Sequence, residues 1–96
     1  SPELELRKTA IRAIPNRGED ADLDVLLPLY DSERDADLKD FILSAIGHYK
    51  NQRAYQKLMQ VVRTPSEPLE RRKRAISALS QSKDPVVLKF LEDMLK

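Results

Sequence analysis

The chain has 96 residues, 41% hydrophobic, 34% charged and 5% aromatic, with a formal net charge of +1 and no cysteine. That length suits one domain, and the scarcity of aromatics favours a core of aliphatic side chains and alanine between packed helices. The missing thiol excludes a disulfide framework, a thiol nucleophile and cysteine-ligated metal. No apolar run approaches the roughly 18 residues needed to cross a bilayer, so the sequence reads as a soluble chain. Ser1-Pro2-Glu3 is neither a leader nor an initiator methionine, and reads as the start of a piece of a longer protein. The small net charge hides a division: residues 1–18 carry +2, 19–40 carry −7, 41–83 carry +7 and 84–96 carry −1. Such a layout can steer a charged partner without a general attraction to nucleic acid or an anionic membrane.

Six helices are expected, at about 2–14, 21–31, 36–49, 52–63, 67–80 and 85–95. The first opens on Ser1-Pro2, a capping oxygen before a proline whose missing N–H costs nothing in the first turn, and carries Ala10, Ile11, Ala13 and Ile14 on one stripe. Pro15 and Gly18 end it. The second places Leu23, Leu26, Leu29 and Tyr30 at helical spacing, and one of Asp20, Asp22, Asp35 and Asp37 caps it or its successor. The third runs through Ala45-Ile46 towards Gly47. The fourth starts after Asn51 and carries Tyr55, Leu58, Val61 and Val62. Pro65 and Pro68 interrupt the chain before the fifth, for which Ser66 is the candidate cap. The sixth opens on Asp84-Pro85 and sets Leu88, Leu91, Met94 and Leu95 inward. Short links make neighbouring helices antiparallel.

These elements repeat. Residues 4–14 over residues 69–79 match at seven of eleven positions, an offset of 65, and Ala45-Ile46 falls between them on Ala13-Ile14 and Ala78-Leu79 at spacings of 32 and 33. The column Ala13, Ala45, Ala78 is where small side chains would let neighbouring helices approach. A helix pair this short cannot bury its stripe alone, so the fold class expected is all-α: three antiparallel helix pairs, in units of about 1–31, 32–63 and 64–96, stacked into a right-handed α-solenoid. Leu6-Arg7-Lys8-Thr9-Ala10-Ile11-Arg12-Ala13-Ile14 resembles the second helix of a HEAT repeat. Leu26-Leu27-Pro28-Leu29-Tyr30 resembles the first, including the proline that often bends it. The resemblance covers nearly the whole chain and is closest to short bacterial HEAT-like units. It departs in the loops, where the acid the family often sets six before the basic residue is Glu33 for Lys39 but Ser66 for Arg72, so a regular inter-repeat ion-pair ladder is not expected.

No catalytic constellation stands out. His48 is the only histidine, near a helix end where a dipole partner is commonplace, and no Gly-x-Ser-x-Gly turn presents a serine. Asp35, Asp37 and Asp40 sit where caps and first-turn acids belong and lack calcium-loop spacing. Two scattered glycines build no phosphate cradle, so no cofactor or metal is expected. The run Arg71-Arg72-Lys73-Arg74 spreads around its helix at 100° per residue and reads as a solvated face rather than a nucleic-acid stripe.

What remains is the polar face of each second helix: Lys8, Arg12 and Asn16, then Asp40, Ser44 and His48, then Lys73, Ser77 and Gln81. The HEAT resemblance implies that such a row lines the concave surface where arrays of this kind engage partners. Phe41 flanks it, in the column of Thr9 and Arg74, either as a contact anchor or as a plug between helices. The candidate binding residues are therefore Lys8, Arg12, Phe41, Ser44, His48, Lys73, Arg74 and Ser77. In the last helix Val86 and Phe90 form a second apolar stripe where the middle repeat has Arg53 and Lys57, so these two are expected to be covered by a further repeat or a second copy, unless Phe90 folds back under its own loop. The expected role is a non-catalytic protein-interaction scaffold. Alternatives are a helical segment of a larger enzyme and a module that binds nucleic-acid backbones.

Overall fold

A computed structural model describes residues 1–14 and 17–96; the predicted break at Pro15 and the row position Asn16 lie outside the described residues. Within them are six helices and no strand: α1 Pro2–Ala13, α2 Asp20–Ser32, α3 Ala36–Ile46, α4 Gln52–Arg63, α5 Leu69–Leu79 and α6 Pro85–Asp93. No helix is long and apolar enough to cross a membrane.

Side-chain oxygens start four of these helices. Ser1 accepts from the Leu4 N–H, Asp35 from Leu38, Asn51 from Ala54 and Asp84 from Val86. The predicted Ser66 cap does not form. Pro68 occupies the N-cap position of α5 with no side-chain cap bond, its own geometry setting the helix entry. Helix α3 also stops three residues short of the expected 49. After Gly47 the chain tightens, with the His48 and Tyr49 N–H groups bonding to the Ala45 and Ile46 carbonyls. That turn aims Tyr49 back at α2, where its hydroxyl donates to the Asp22 carboxylate at 2.9 Å.

The helices form two layers in a slab of 46 × 29 × 17 Å, with α2, α4 and α6 in one and α3 and α5 in the other; α1 lies against α3. The closest packing is of α4 on α5, then of α2 on α3, so the tightest hairpins straddle residues 31/32 and 63/64. Between the layers lie Leu23, Tyr30, Ile42, Ile46, Leu58, Leu79 and Val87, all essentially inaccessible, each aliphatic among them worth about 1.5–3 kcal/mol of transfer free energy.

Two predicted columns change character. On α5 the fully buried small position is Ala75, in the column of Ile42; Ala45 and Ala78 are only half-buried and Ala13 is exposed. Ala78 does mark a close approach, since a Cβ placed on Gly47 would lie 3.1 Å from the Ala78 Cβ. In α6 the inward residue is Val87, while Leu88, Met94 and Leu95, expected inside, are exposed. Phe90 is half-buried, its ring 5.2 Å from the Arg63 guanidinium of α4, and Val86 is exposed.

Candidate functional site

The polar row of α3 and α5 forms a cleft of about 590 Å³. Helical spacing puts Ser44 and His48 on one wall, and Lys73, Arg74 and Ser77 on the other, with Gly47 and Ala78 at the floor. The glycine matters here because it lets the two backbones close at that end. A smaller cleft of about 250 Å³ on the other side of α3 is lined by Lys8, Arg12, Asp37, Leu38 and Phe41. The eight residues singled out in the sequence thus fall into two neighbouring clefts, five and three, sharing α3 as their common wall. Phe41 is 41% exposed in the wall of the smaller one and so presents ring area to solvent.

Charge along this face is sparing. Lys73 pairs with Glu70 at 3.5 Å and Lys8 with Glu5 at 3.7 Å, both through largely solvated carboxylates, so neither ammonium is tied down strongly. Of Asp35, Asp37 and Asp40, the first caps α3, the third accepts from Arg71, and Asp37 lines the smaller cleft.

Arg71 is the residue that the solvated-face reading got wrong. It is buried, with its Nε 2.8 Å from Asp40, Nη1 3.2 Å from Glu67 and Nη2 3.2 Å from the Ala36 carbonyl. Burial disfavours its charge, but the Asp40 and Glu67 carboxylates more than offset this and hold its pKa above the ordinary value. The adjacent Arg72, half-buried, donates to the Val62 carbonyl at 2.8 Å. Half of the basic run is therefore structural, leaving Lys73 and Arg74 at the cleft. The sequence did contain the clue, since Arg71 stands in the column of Leu6 and Leu38.

The division of charge is largely consumed inside the molecule. Acidic α2 faces basic α4, with Arg53 2.9 Å from Asp20 and 2.7 Å from Asp24, and Lys57 2.6 Å from Asp31. Tyr30 joins the elements beneath this edge. Its ring lies 4.2 Å from the Lys39 ammonium and 5.1 Å from that of Lys57, and its hydroxyl donates to Glu67. Burial first, then the Glu67 carboxylate, raises the Tyr30 pKa above its ordinary value. At the far edge, Glu33 accepts from the Arg34 and Asp35 backbone N–H groups and from Arg7 at 3.0 Å, and Glu67 binds a different set of donors.

A family model described as HEAT repeats matches residues 32–96, which span α3 to α6 and the larger cleft. No curated protein and no solved structure matches the chain.

Proposed function

The chain belongs to the HEAT-repeat family, an α-solenoid family that generally mediates protein–protein contacts, and on that premise we propose that it is a non-catalytic scaffold binding a protein partner along the α1, α3 and α5 face. The observation that supports this is the convergence of Ser44, His48, Lys73, Arg74 and Ser77 on one cleft, with Lys8, Arg12 and Phe41 on the next. An exposed aromatic beside arginine in a concave wall is the composition of an interface hot spot. Internal use of Arg71 and Arg72 favours a protein over a nucleic-acid backbone, because those two cations are turned to Asp40, Glu67 and the Val62 carbonyl.

Quantitative pull-down from the native source tests the reading. Combined Lys8→Glu, Arg12→Glu and Lys73→Glu should lower recovery of a specific partner about tenfold or more with helicity unchanged. Gln56→Glu with Gln60→Glu, in the α2/α4 cleft on the opposite layer, should not. Equal recovery with the triple variant, or loss with the control pair, would move the site off this face.

A further inference from the structure

We propose that copies of this chain join head to tail, the exposed apolar face of α6 in one copy packing on the exposed face of α1 in the next. The inference comes from comparing equivalent columns under different cover. Tyr55, Val61 and Val62 of α4 are buried where α5 packs on that helix; one period later Leu88 of α6, and Met94 and Leu95 just past its end, are 45%, 48% and 88% exposed. Helix α6 packs on α4, but among the described residues no helix covers it as α5 covers α4. The other layer shows the complementary defect. Leu38 and Ile42 are buried on α3, and Arg71 and Ala75 on α5, whereas the matching Leu6 and Ala10 on α1 are exposed, Leu6 at 64%.

What belongs over α6, judged by the α2–α3 and α4–α5 hairpins of the same molecule, is a helix with the pattern of α3 and α5. Helix α1 has that pattern, matching α5 at seven of eleven positions, and its corresponding face is uncovered. A specific bond fits too. Arg72 fastens α5 to α4 by donating to the Val62 carbonyl, and the residues in those columns are Arg7 on α1 and Leu95 just past the end of α6. The side chain of Arg7 is half exposed and, among the described residues, pairs with Glu33. Charge agrees in sign, with +2 on residues 1–18 and −1 on residues 84–96. Because the two patches differ, the contact is heterologous, and repeating it extends a row rather than closing a symmetric pair.

Light scattering on the whole chain, from micromolar to millimolar concentration, should show the mass rising above 11.0 kDa and continuing past the dimer. Leu88→Lys with Leu95→Lys blocks one end and Leu6→Lys the other, and each variant alone should be monomeric with the melting curve of the parent, since these side chains are exposed in the single chain. Mixing the two variants should give dimers and nothing longer, because one competent face of each kind survives. A parent that stays at 11.0 kDa throughout would overturn the proposal and assign both faces to helices of other origin. Dimers formed by either variant alone would overturn it equally, by showing a symmetric contact. Gln56→Lys, exposed on α4 and away from both ends, serves as the control and should leave the mass series unchanged.

Discussion

Arg71 and Asp40 meet at 2.8 Å between α5 and α3, the guanidinium 7% exposed and the carboxylate 28%. A buried arginine in a column otherwise filled by leucine sets two requirements at one position, volume and charge. Arg71→Ala removes both and strands Asp40 and Glu67, so it should cost about 3 kcal/mol in urea unfolding. Arg71→Leu restores the volume and should cost about 1 kcal/mol. Arg53→Ala, at the solvated α2/α4 edge, should shift the midpoint far less than Arg71→Ala, and less still in high salt. Equal losses for Ala and Leu at position 71 would show that the ion pair, not the filling of space, holds α3 on α5.

The Tyr49–Asp22 pair sets a pH window. Burial, then the Asp22 hydrogen bond and charge, push the Tyr49 phenol from 10.0 up to about 12. A folded value above the unfolded one means that this contribution is complete below pH 10.0 and is lost as pH rises towards 12. Asp22 behaves oppositely. Burial works against its charge, but the Tyr49 hydroxyl, the Arg17 N–H and the Arg17 cation prevail and hold its pKa below 3.8, so its contribution is present above 3.8 and disappears as pH falls further. Tyrosinate absorbance should therefore show Tyr30 and Tyr49 ionising late, with one late step removed by Tyr49→Phe. A titration in which the step removed by Tyr49→Phe lies near 10.0 would contradict the buried pair.

At Gly47, a valine would drive side-chain atoms into Ala78, whose Cβ is 3.1 Å from where a Cβ would stand. Gly47→Val should cost about 1–3 kcal/mol, and adding Ala78→Gly should recover part of it. Non-additivity of that kind identifies a direct α3–α5 contact; additive losses would place the strain within α3 alone.

Much of this architecture is readable in the chain because helical period is a property of the backbone: Leu23, Leu26 and Tyr30, or Leu58, Val61 and Val62, announce their stripes unaided. The grouping of Ser44 with His48 and of Lys73 with Ser77 follows from the same spacing of four. Cover is a different matter. Leu88 and Leu95 obey the periodicity as well as Tyr55 and Val62 do, yet their burial depends on whether another helix lies over them, which no local pattern encodes. Tyr49 was unreadable for a related reason, since its partner lies 27 residues away and is reached only because the chain tightens after Gly47. The charge division was visible, but not that α2 and α4 would neutralise one another across a shared edge.

Tyr30 sits where both hairpins meet. One side chain of α2 touches Lys39 on α3, Lys57 on α4 and Glu67 at the entry to α5, so melting either hairpin removes the other's partners at the same centre. In a one-dimensional stack, stability divides into an intrinsic term for each unit and a coupling term between neighbours. Here Tyr30 shares the coupling with the Arg71–Asp40 pair and with the Arg53 and Lys57 pairs to α2, and together these links make residues 20–79 open as one unit in hydrogen exchange. Helix α1, tied in by Ile11 and the Arg7–Glu33 pair and remote from that centre, frays independently and at lower cost.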